Sequence, residues 1–240
     1  MTELEVFNRR EIKYLLNQQQ VDLLLKIIPE YMNYDSHNLN GQVYHIHNLY
    51  IDSKNDELIR NSIEKPVYKE KIRLRSYGVA SKNDTVYFEI KKKFDGVVNK
   101  RRTPILLQEA YDYIYNSKIP VESKLNTQVF DEVDFIFKRY DLEPKVFISY
   151  DRLAFFEKNN SDFRLTLDKN ITTRRDNLEL EKESFGESLL PENTWVLEAK
   201  AFKAFPLWFV KFLSENKIYN ESFSKYGKEF QKFLSIKNNF

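Results

Sequence analysis

Three stretches of the chain alternate between apolar and charged residues with a period of two. They are YKEKIRLRSYG (residues 68–78), VYFEIKKKF (residues 86–94) and TWVLEAKAF (residues 194–202). Successive side chains of a β-strand point to opposite faces, so the pattern predicts three strands, each with one charged face and one apolar face. If helices cover the apolar faces, the charged faces can line a cavity that binds a multiply charged anion.

Similar alternation and turn signals predict about eight strands in total. The predicted strands are residues 6–13, 43–52, 67–77, 85–94, 97–102, 145–153, 163–169 and 195–202. Short connections between them, such as Asp95-Gly96, favour antiparallel pairing.

Apolar residues at helical spacing predict five helices between and after these strands. Asn17 is the predicted cap of the first, Pro104 opens the second, residues 129–137 carry the stripe of the third, Pro206 starts the fourth, and the last spans residues 228–236. We therefore expect an α+β fold, an eight-stranded antiparallel β-barrel tunnel with a charged lumen and flanking helices. No linker-like segment interrupts residues 1–240, which we interpret as one domain.

Composition narrows the class of protein. The chain has 240 residues, of which 42% are hydrophobic, so it can bury a substantial core. A net charge of only +2 argues against nucleic acid as a partner, and the absence of cysteine excludes disulfides and thiolate chemistry. We find no apolar signal or membrane segment, no GxxxxGK[ST] and no GxGxxG, so we expect a cytoplasmic protein without a P-loop or Rossmann nucleotide site.

The charged strand faces carry residue types that suit phosphate and metal. Arginine and lysine on neighbouring strands can contact successive phosphates of a polyanion. Glu11, Glu89 and Glu198 each lie two residues from a lysine on the same strand face, and carboxylate oxygens are ligands for Mg²⁺ or Mn²⁺. Taken singly, a basic strand is more often a solvated sheet face, and a Glu-x-Lys pair is more often a simple ion pair.

Nine segments, taken in order, resemble the VTC domain, the polyphosphate polymerase domain of the vacuolar transporter chaperone family within the triphosphate tunnel metalloenzyme (CYTH-like) superfamily. They are RREIKY (9–14), NLYIDS (48–53), KIRLRSYG (71–78), YFEIKKK (87–93), NKRR (99–102), SYDRLAF (149–155), FRLTLD (163–168), VLEAK (196–200) and FSKYG (223–227). The resemblance covers nearly the whole chain. Each motif is a weak signal alone, but nine motifs in the same order are specific for the family.

The resemblance implies a transferase that moves the γ-phosphoryl group of ATP onto inorganic polyphosphate and releases ADP, with Mn²⁺ or Mg²⁺ as cofactor. The implied catalytic residues are Arg73, Arg75, Lys91 and Glu198. The phosphate-binding residues that the resemblance implies are Lys13, Arg73, Arg75, Lys91, Lys100, Arg152, Lys200 and Lys225, with Lys225 closing one mouth of the tunnel. The charged strand faces add Lys71 and Lys93 to this set. Glu198 is the implied metal ligand, with Glu89 and Glu11 as helpers. Partners other than ATP and polyphosphate are not indicated.

One departure separates this chain from the wider superfamily. Many members begin with an ExExK motif, whereas this chain has Arg9, Glu11 and Lys13 at the corresponding positions. The replacement of one carboxylate by a cation favours chain extension over hydrolysis. Two alternatives stay open at this point: a tunnel triphosphatase acting on inorganic triphosphate or nucleotides, and a non-catalytic polyphosphate-binding protein.

Overall fold

The computed structural model describes residues 10–38, 41–95, 97–121, 125–158 and 162–237. Its strands are β1 (Arg10–Asn17), β2 (Met32–Tyr34), β3 (Tyr44–Ser53), β4 (Tyr68–Tyr77), β5 (Thr85–Phe94), β6 (Val97–Leu106), β7 (Leu142–Glu157), β8 (Arg164–Arg174), β9 (Glu187–Ser188) and β10 (Thr194–Ala201). Its helices are α1 (Gln18–Tyr31), α2 (Glu57–Ile63), α3 (Leu107–Asn116), α4 (Thr127–Tyr140), α5 (Leu207–Glu215) and α6 (Lys225–Lys237).

The described residues cluster into two compact units. The first unit comprises those of Met1–His45, Tyr150–Ile171 and Ser188–Ser224. The second unit comprises those of Ile46–Ser149, Thr172–Glu187 and Lys225–Phe240. Our expectation of one domain over residues 1–240 stays a prediction.

The first unit contains the strand order β1-β10-β8-β7, with the short β2 paired to β7. Strand β10 is antiparallel to both β1 and β8, and residues Leu197 and Ala199 lie opposite apolar residues of each neighbour. These apolar residues pack with Leu24 of α1 and Phe209 of α5 in one buried cluster. The opposite face of the same strands is thereby left for the charged residues.

The second unit contains the strand order β7-β3-β4-β5-β6. Leu74 of β4 lies opposite Phe88 of β5, and both are completely buried. They pack with Tyr113 of α3 and Val133 of α4, so helices cover the apolar face of this sheet as well. Period-two alternation places the other charged residues of β4 and β5 on the opposite face, whereas Glu70 and Lys92 share the apolar one.

Helix α1 begins where the sequence predicts. The Asn17 side chain accepts a hydrogen bond from the Gln20 N–H at 2.9 Å, and the Gln20 side chain accepts one from the Asn17 N–H at 3.1 Å. This capping box satisfies two N–H groups that the first turn would otherwise leave unpaired.

The prediction that Pro104 opens a helix is wrong. Strand β6 continues through Pro104 to Leu106, and α3 begins at Leu107. Of the described strands, β6 pairs only with β5, so the missing N–H of a proline can be accommodated. The final helix is also longer than predicted, because α6 begins at Lys225.

The predicted α+β class, with eight antiparallel strands in the sheet orders above and flanking helices, is confirmed. Sequence patterns missed the short strands β2 and β9 and the 7-residue helix α2. No helix in the described ranges is both long and apolar enough to cross a membrane.

Replacement of Phe88 by alanine tests the buried face of β5. Phe88 is 0% exposed, so we expect Phe88→Ala to lower the free energy of unfolding by about 3–5 kcal/mol in urea denaturation. Phe94, on the same strand, is 62% exposed, and Phe94→Ala should change it by less than about 0.5 kcal/mol. Equal losses in the two variants would contradict the burial of Phe88.

Candidate active site

In the second unit, a buried carboxylate organises several cations of the charged sheet face. Arg73 donates hydrogen bonds to Glu89 Oε2 from Nε at 2.9 Å and from Nη2 at 2.6 Å. Lys100 Nζ donates to Glu89 Oε1 at 2.9 Å, and Arg75 Nη1 lies 3.5 Å from the same oxygen. Residues Arg73 and Glu89 are directly opposite in the register of β4 and β5, which explains why they meet. We call these four residues the Glu89 cluster.

The cations keep Glu89 ionised although the side chain is only 2% exposed. Burial alone would raise the pKa of Glu89, but Arg73, Arg75 and Lys100 together lower it far below the usual range. The pKa of Lys100 is lowered, first by desolvation and then by the two arginines, against the opposing effect of Glu89. Because 44% of the Lys100 side chain is exposed, water offsets part of that effect.

Next to the Glu89 cluster, lysines occupy successive positions of the same sheet face. Lys71 lies opposite Lys91, and Lys91 lies opposite Lys100 on the following strand. Two residues further along, Lys69 lies opposite Lys93. We call these five residues the lysine rows. Like charges at opposite positions of a sheet destabilise it, so an anion bound there would relieve their repulsion.

In the first unit, a second buried carboxylate is surrounded by cations. Lys13 Nζ lies 3.6 Å from Glu198 Oε2 and 3.2 Å from Glu11 Oε1, and Lys200 forms an ion pair with Glu198 Oε1. The register of β1 and β10 places Lys13 opposite Glu198 and Glu11 opposite Lys200. Burial would raise the pKa of Glu198, but Lys200, Lys13 and Arg152 lower it well below the usual range.

We call Glu198, Lys13, Lys200 and Arg152 the Glu198 cluster. Within it, Arg152 is fixed by an aspartate. Its Nε and Nη2 donate to the two carboxylate oxygens of Asp168 at 2.6 and 2.8 Å. Desolvation alone would lower the pKa of Arg152, but Asp168, followed by Tyr150 and Glu198, raises it well above the usual value. A two-point bond of this kind sets the plane of the guanidinium group.

The role of Glu11 and Glu198 as ligands of a divalent metal stays a prediction, because Lys200 and Lys13 pair with the two oxygens of Glu198. Both carboxylates approach the same cation, Lys13 Nζ, from neighbouring strands. Thr166, which lies opposite Glu198 on β8, has a buried hydroxyl without a hydrogen-bond partner among the described residues. No group of three histidine, aspartate or glutamate side chains suited to a metal occurs in the described part of the chain. A metal there would complete its shell with phosphate and water oxygens, as Mg²⁺ commonly does.

The remaining predicted residues lie in the second unit or outside the described ranges. Both oxygens of Glu89 accept hydrogen bonds from cations, so its role as a metal helper stays a prediction. Lys225 is the first residue of α6. Arg9 lies outside the described residues.

Sequence reasoning missed several polar residues that share these faces. Asn48 Oδ1 accepts a hydrogen bond from Arg75 Nε at 2.9 Å, and the Tyr50 hydroxyl accepts one from Arg73 Nη1 at 2.9 Å. In the first unit, Asp168 binds Arg152, and Arg164 lies opposite Lys200. The period-two alternation within NLYIDS and FRLTLD was the available signal, since it groups these residues on one face of β3 and of β8.

Comparisons with known proteins agree with this architecture. The family model described as the VTC domain matches residues 8–234. A solved structure of a candidate adenylate cyclase from Bacillus halodurans is 15% identical, with a TM-score of 0.53 over 92% of this chain and 94% of that chain, which shows a shared fold. A candidate adenylyl cyclase from Hippeastrum with a dominant triphosphatase activity is 17% identical, with a TM-score of 0.47 over 90% of this chain and 92% of that one. A comparison with curated proteins found no match.

Replacement of Glu89 by glutamine tests its role as the counter-ion of the Glu89 cluster. At pH 7 we expect Glu89→Gln to lower the free energy of unfolding by about 3 kcal/mol, because three cations lose their carboxylate. Folding depresses the pKa of Glu89, so its stabilisation is full above the unfolded pKa of about 4.3 and is lost as the pH falls through the folded value. The difference between variant and wild type should therefore shrink below about pH 4.

Glu132→Gln is the matched control. Glu132 also contacts two cations, Lys92 at 2.5 Å and Arg101 at 3.3 Å, but it is 20% exposed. We expect a loss of less than about 1 kcal/mol for this variant. Urea denaturation across the pH range measures both. A Glu89→Gln loss no larger than the control would show that Glu89 does not balance the cluster.

Proposed function

Because the chain belongs to the VTC domain family, within the triphosphate tunnel metalloenzyme superfamily, we propose that it is a polyphosphate polymerase. It transfers the γ-phosphoryl group of ATP onto the end of an inorganic polyphosphate chain and releases ADP. Membership of this superfamily implies dependence on a divalent metal, and we propose Mn²⁺ or Mg²⁺.

The lysine rows are the observation that carries this proposal. Lys71, Lys91 and Lys100 stand side by side on three strands, adjacent to Arg73 and Arg75. Each hydrogen bond between such a cation and a phosphate oxygen contributes on the order of 1.5–3 kcal/mol. Several such hydrogen bonds together offset the cost of desolvating a linear polyanion. Successive phosphates of the chain present oxygens to these cations at short, regular intervals.

The excess of cations supports an anionic acceptor rather than water. In the second unit, the lysine rows, Arg73 and Arg75 share a face on which Glu89 is the carboxylate of the cluster. The end of a polyphosphate chain and ATP repel each other, and cations must neutralise both before they can approach. A hydrolase needs cations for its phosphate substrate but none for water, so cations in excess of those needed by one nucleotide favour an anionic acceptor.

The reaction that we propose needs positioning and charge neutralisation more than covalent chemistry. A terminal phosphate oxygen of the chain attacks the γ-phosphorus, and the bond from that phosphorus to the β–γ bridging oxygen breaks, leaving ADP. Arg73 and Arg75, held by Glu89, Tyr50 and Asn48, offer forked N–H donors to phosphate oxygens. Lys91 and its neighbours hold the phosphate chain.

The Glu198 cluster supplies a carboxylate and cations of the first unit. Glu198 and Glu11 would hold the divalent metal, which neutralises phosphate charge when bound. Lys13, Lys200 and Arg152 keep Glu198 ionised, and a metal there would displace Lys13 or Lys200 from its oxygens. Their own charges then attract phosphate to the same cluster.

Incubation of the purified protein with ATP and Mn²⁺ tests the proposed reaction. We expect long phosphate chains on a polyacrylamide gel and one ADP for each phosphate added. Formation of ADP with orthophosphate alone would reject polymerisation in favour of hydrolysis. Binding of polyphosphate without turnover of ATP would indicate a non-catalytic protein.

Substitutions on β4, β5 and β10 test the residues that we assign. We expect Arg73→Ala, Lys91→Ala and Glu198→Gln each to reduce ATP turnover by at least about a hundredfold while the circular dichroism spectrum is unchanged, because all three act on charge rather than apolar packing.

Lys92→Ala is the matched control for Lys91→Ala. Lys92 adjoins Lys91 on β5 but contacts Glu132 of α4 on the other face. We expect Lys92→Ala to retain turnover within about twofold, since an ion pair of this exposure contributes little. Near wild-type turnover in any two of the three site variants would show that the functional face is misassigned.

A further inference from the structure

Tyr226, the second residue of α6, is a buried tyrosine that the proposed reaction does not use. The residue is 2% exposed. Its hydroxyl donates a hydrogen bond to Asp52 Oδ2 at 3.0 Å. Its ring packs against the ring of Tyr50, with centroids 4.7 Å apart and planes inclined by 31°. All three residues belong to the second unit.

Asp52 is a rigid acceptor for this hydroxyl. The residue is completely buried, and its carboxylate accepts hydrogen bonds from the backbone N–H groups of Ser53, Leu58 and Ile59 at 2.8, 2.8 and 2.9 Å. Leu58 and Ile59 lie in the first turn of α2, so Asp52 ties that helix to β3. Burial raises the pKa of Tyr226, which keeps the phenol protonated and able to donate.

Tyr50 connects this anchor to the Glu89 cluster. It lies two residues before Asp52 on β3, so both side chains are on the same face of the strand. The Tyr50 hydroxyl accepts the hydrogen bond from Arg73 Nη1 at 2.9 Å. Arg73 is thus held by Glu89 through Nε and Nη2 and by Tyr50 through Nη1. The ring of Tyr226 limits how far Tyr50 can tilt away.

We propose that Tyr226 is a positioning residue for Arg73. Tyr226 holds the ring of Tyr50 in place. The Tyr50 hydroxyl accepts the hydrogen bond from Arg73 Nη1 and so sets the orientation in which the guanidinium group binds phosphate. The inference rests on the proposed function, because that function assigns phosphate binding to Arg73. The same contacts seat the first turn of α6, which begins at Lys225, another predicted phosphate-binding residue. The seating of the C-terminal helix and the geometry of Arg73 are therefore coupled.

Tyr113 provides a matched control within the same unit. It is also buried, at 4% exposure, and its hydroxyl donates to Asp134 at 2.9 Å. Its ring contacts Phe88, Phe130 and Phe137 in the apolar cluster instead of a residue of the phosphate face. A substitution of Tyr113 therefore reports the general effect of losing a buried, hydrogen-bonded tyrosine.

The test is a double-mutant cycle on the full chain, with the affinity for inorganic tripolyphosphate measured by titration calorimetry. We expect Arg73→Ala and Tyr226→Leu each to weaken binding by about tenfold, the effect of one charge-assisted hydrogen bond. The double variant should bind within about twofold of Arg73→Ala, because Tyr226 acts through Arg73. Tyr113→Leu should lower the melting temperature and leave the affinity within about twofold of wild type.

Two results would overturn the proposal. One is wild-type affinity in Tyr226→Leu, and the other is a Tyr226→Leu loss that persists undiminished in the Arg73→Ala background. If Tyr226→Leu does not fold, Tyr226→Phe decides by the same criterion. Removal of the hydroxyl lets the ring tilt, so we expect a loss of about threefold that vanishes in the Arg73→Ala background.

Polymerisation of phosphate from ATP by the wild-type protein is measured separately. Absence of product together with the expected coupling in tripolyphosphate binding would reject the polymerase and retain the role of Tyr226. Product formation without the coupling would reject the role of Tyr226 and retain the polymerase.

Discussion

The charged faces of both units depend on one electrostatic constraint. Cations on neighbouring strands repel each other, and each set is assembled around a buried carboxylate that stays ionised because the cations outnumber it. Glu89 is the counter-ion of Arg73, Arg75 and Lys100. Glu198 is the counter-ion of Lys13, Lys200 and Arg152. In the Glu89 cluster the carboxylate lowers the cost of crowding cations without cancelling their charge, and we propose that the surplus attracts phosphate. Around Glu198, the carboxylates of Glu11 and Asp168 also balance Lys13 and Arg152.

The apolar faces of the same strands make this arrangement possible. Leu74 and Phe88 in the second unit, and Leu197 in the first, are buried beneath helices and stabilise the sheets that hold the charges. Because the burial of these side chains stabilises the sheets, the sheets tolerate the repulsion between neighbouring cations on their charged faces. A solvated sheet face would have no reason to bury a carboxylate, so Glu89 at 2% exposure argues against that reading of β4 and β5.

Much of the fold could be predicted because period two determines which residues share a face. The alternation in β4, β5 and β10 located the charged and apolar faces, and Asn17 located the start of α1. Pro104 was wrongly predicted to start a helix, because proline favours the first turn of a helix but is also tolerated in an edge strand. Sequence alone does not distinguish the two cases, and among the described strands β6 pairs only with β5. Helix α2 was missed because its cap is the carboxylate of Asp52, on the preceding strand, rather than the side chain of Asp56. The partners of Arg73 and Arg152 required strand register, which single-sequence patterns do not contain.

The central claim is that the cationic strand faces bind a phosphate chain. A crystal structure of the protein with a nonhydrolysable ATP analogue and Mn²⁺ tests it most directly. The account predicts phosphate oxygens within hydrogen-bond distance of Arg73 and Lys91, and the metal on Glu198. An analogue bound elsewhere, with the Glu89 cluster and the lysine rows touching only water, would contradict it.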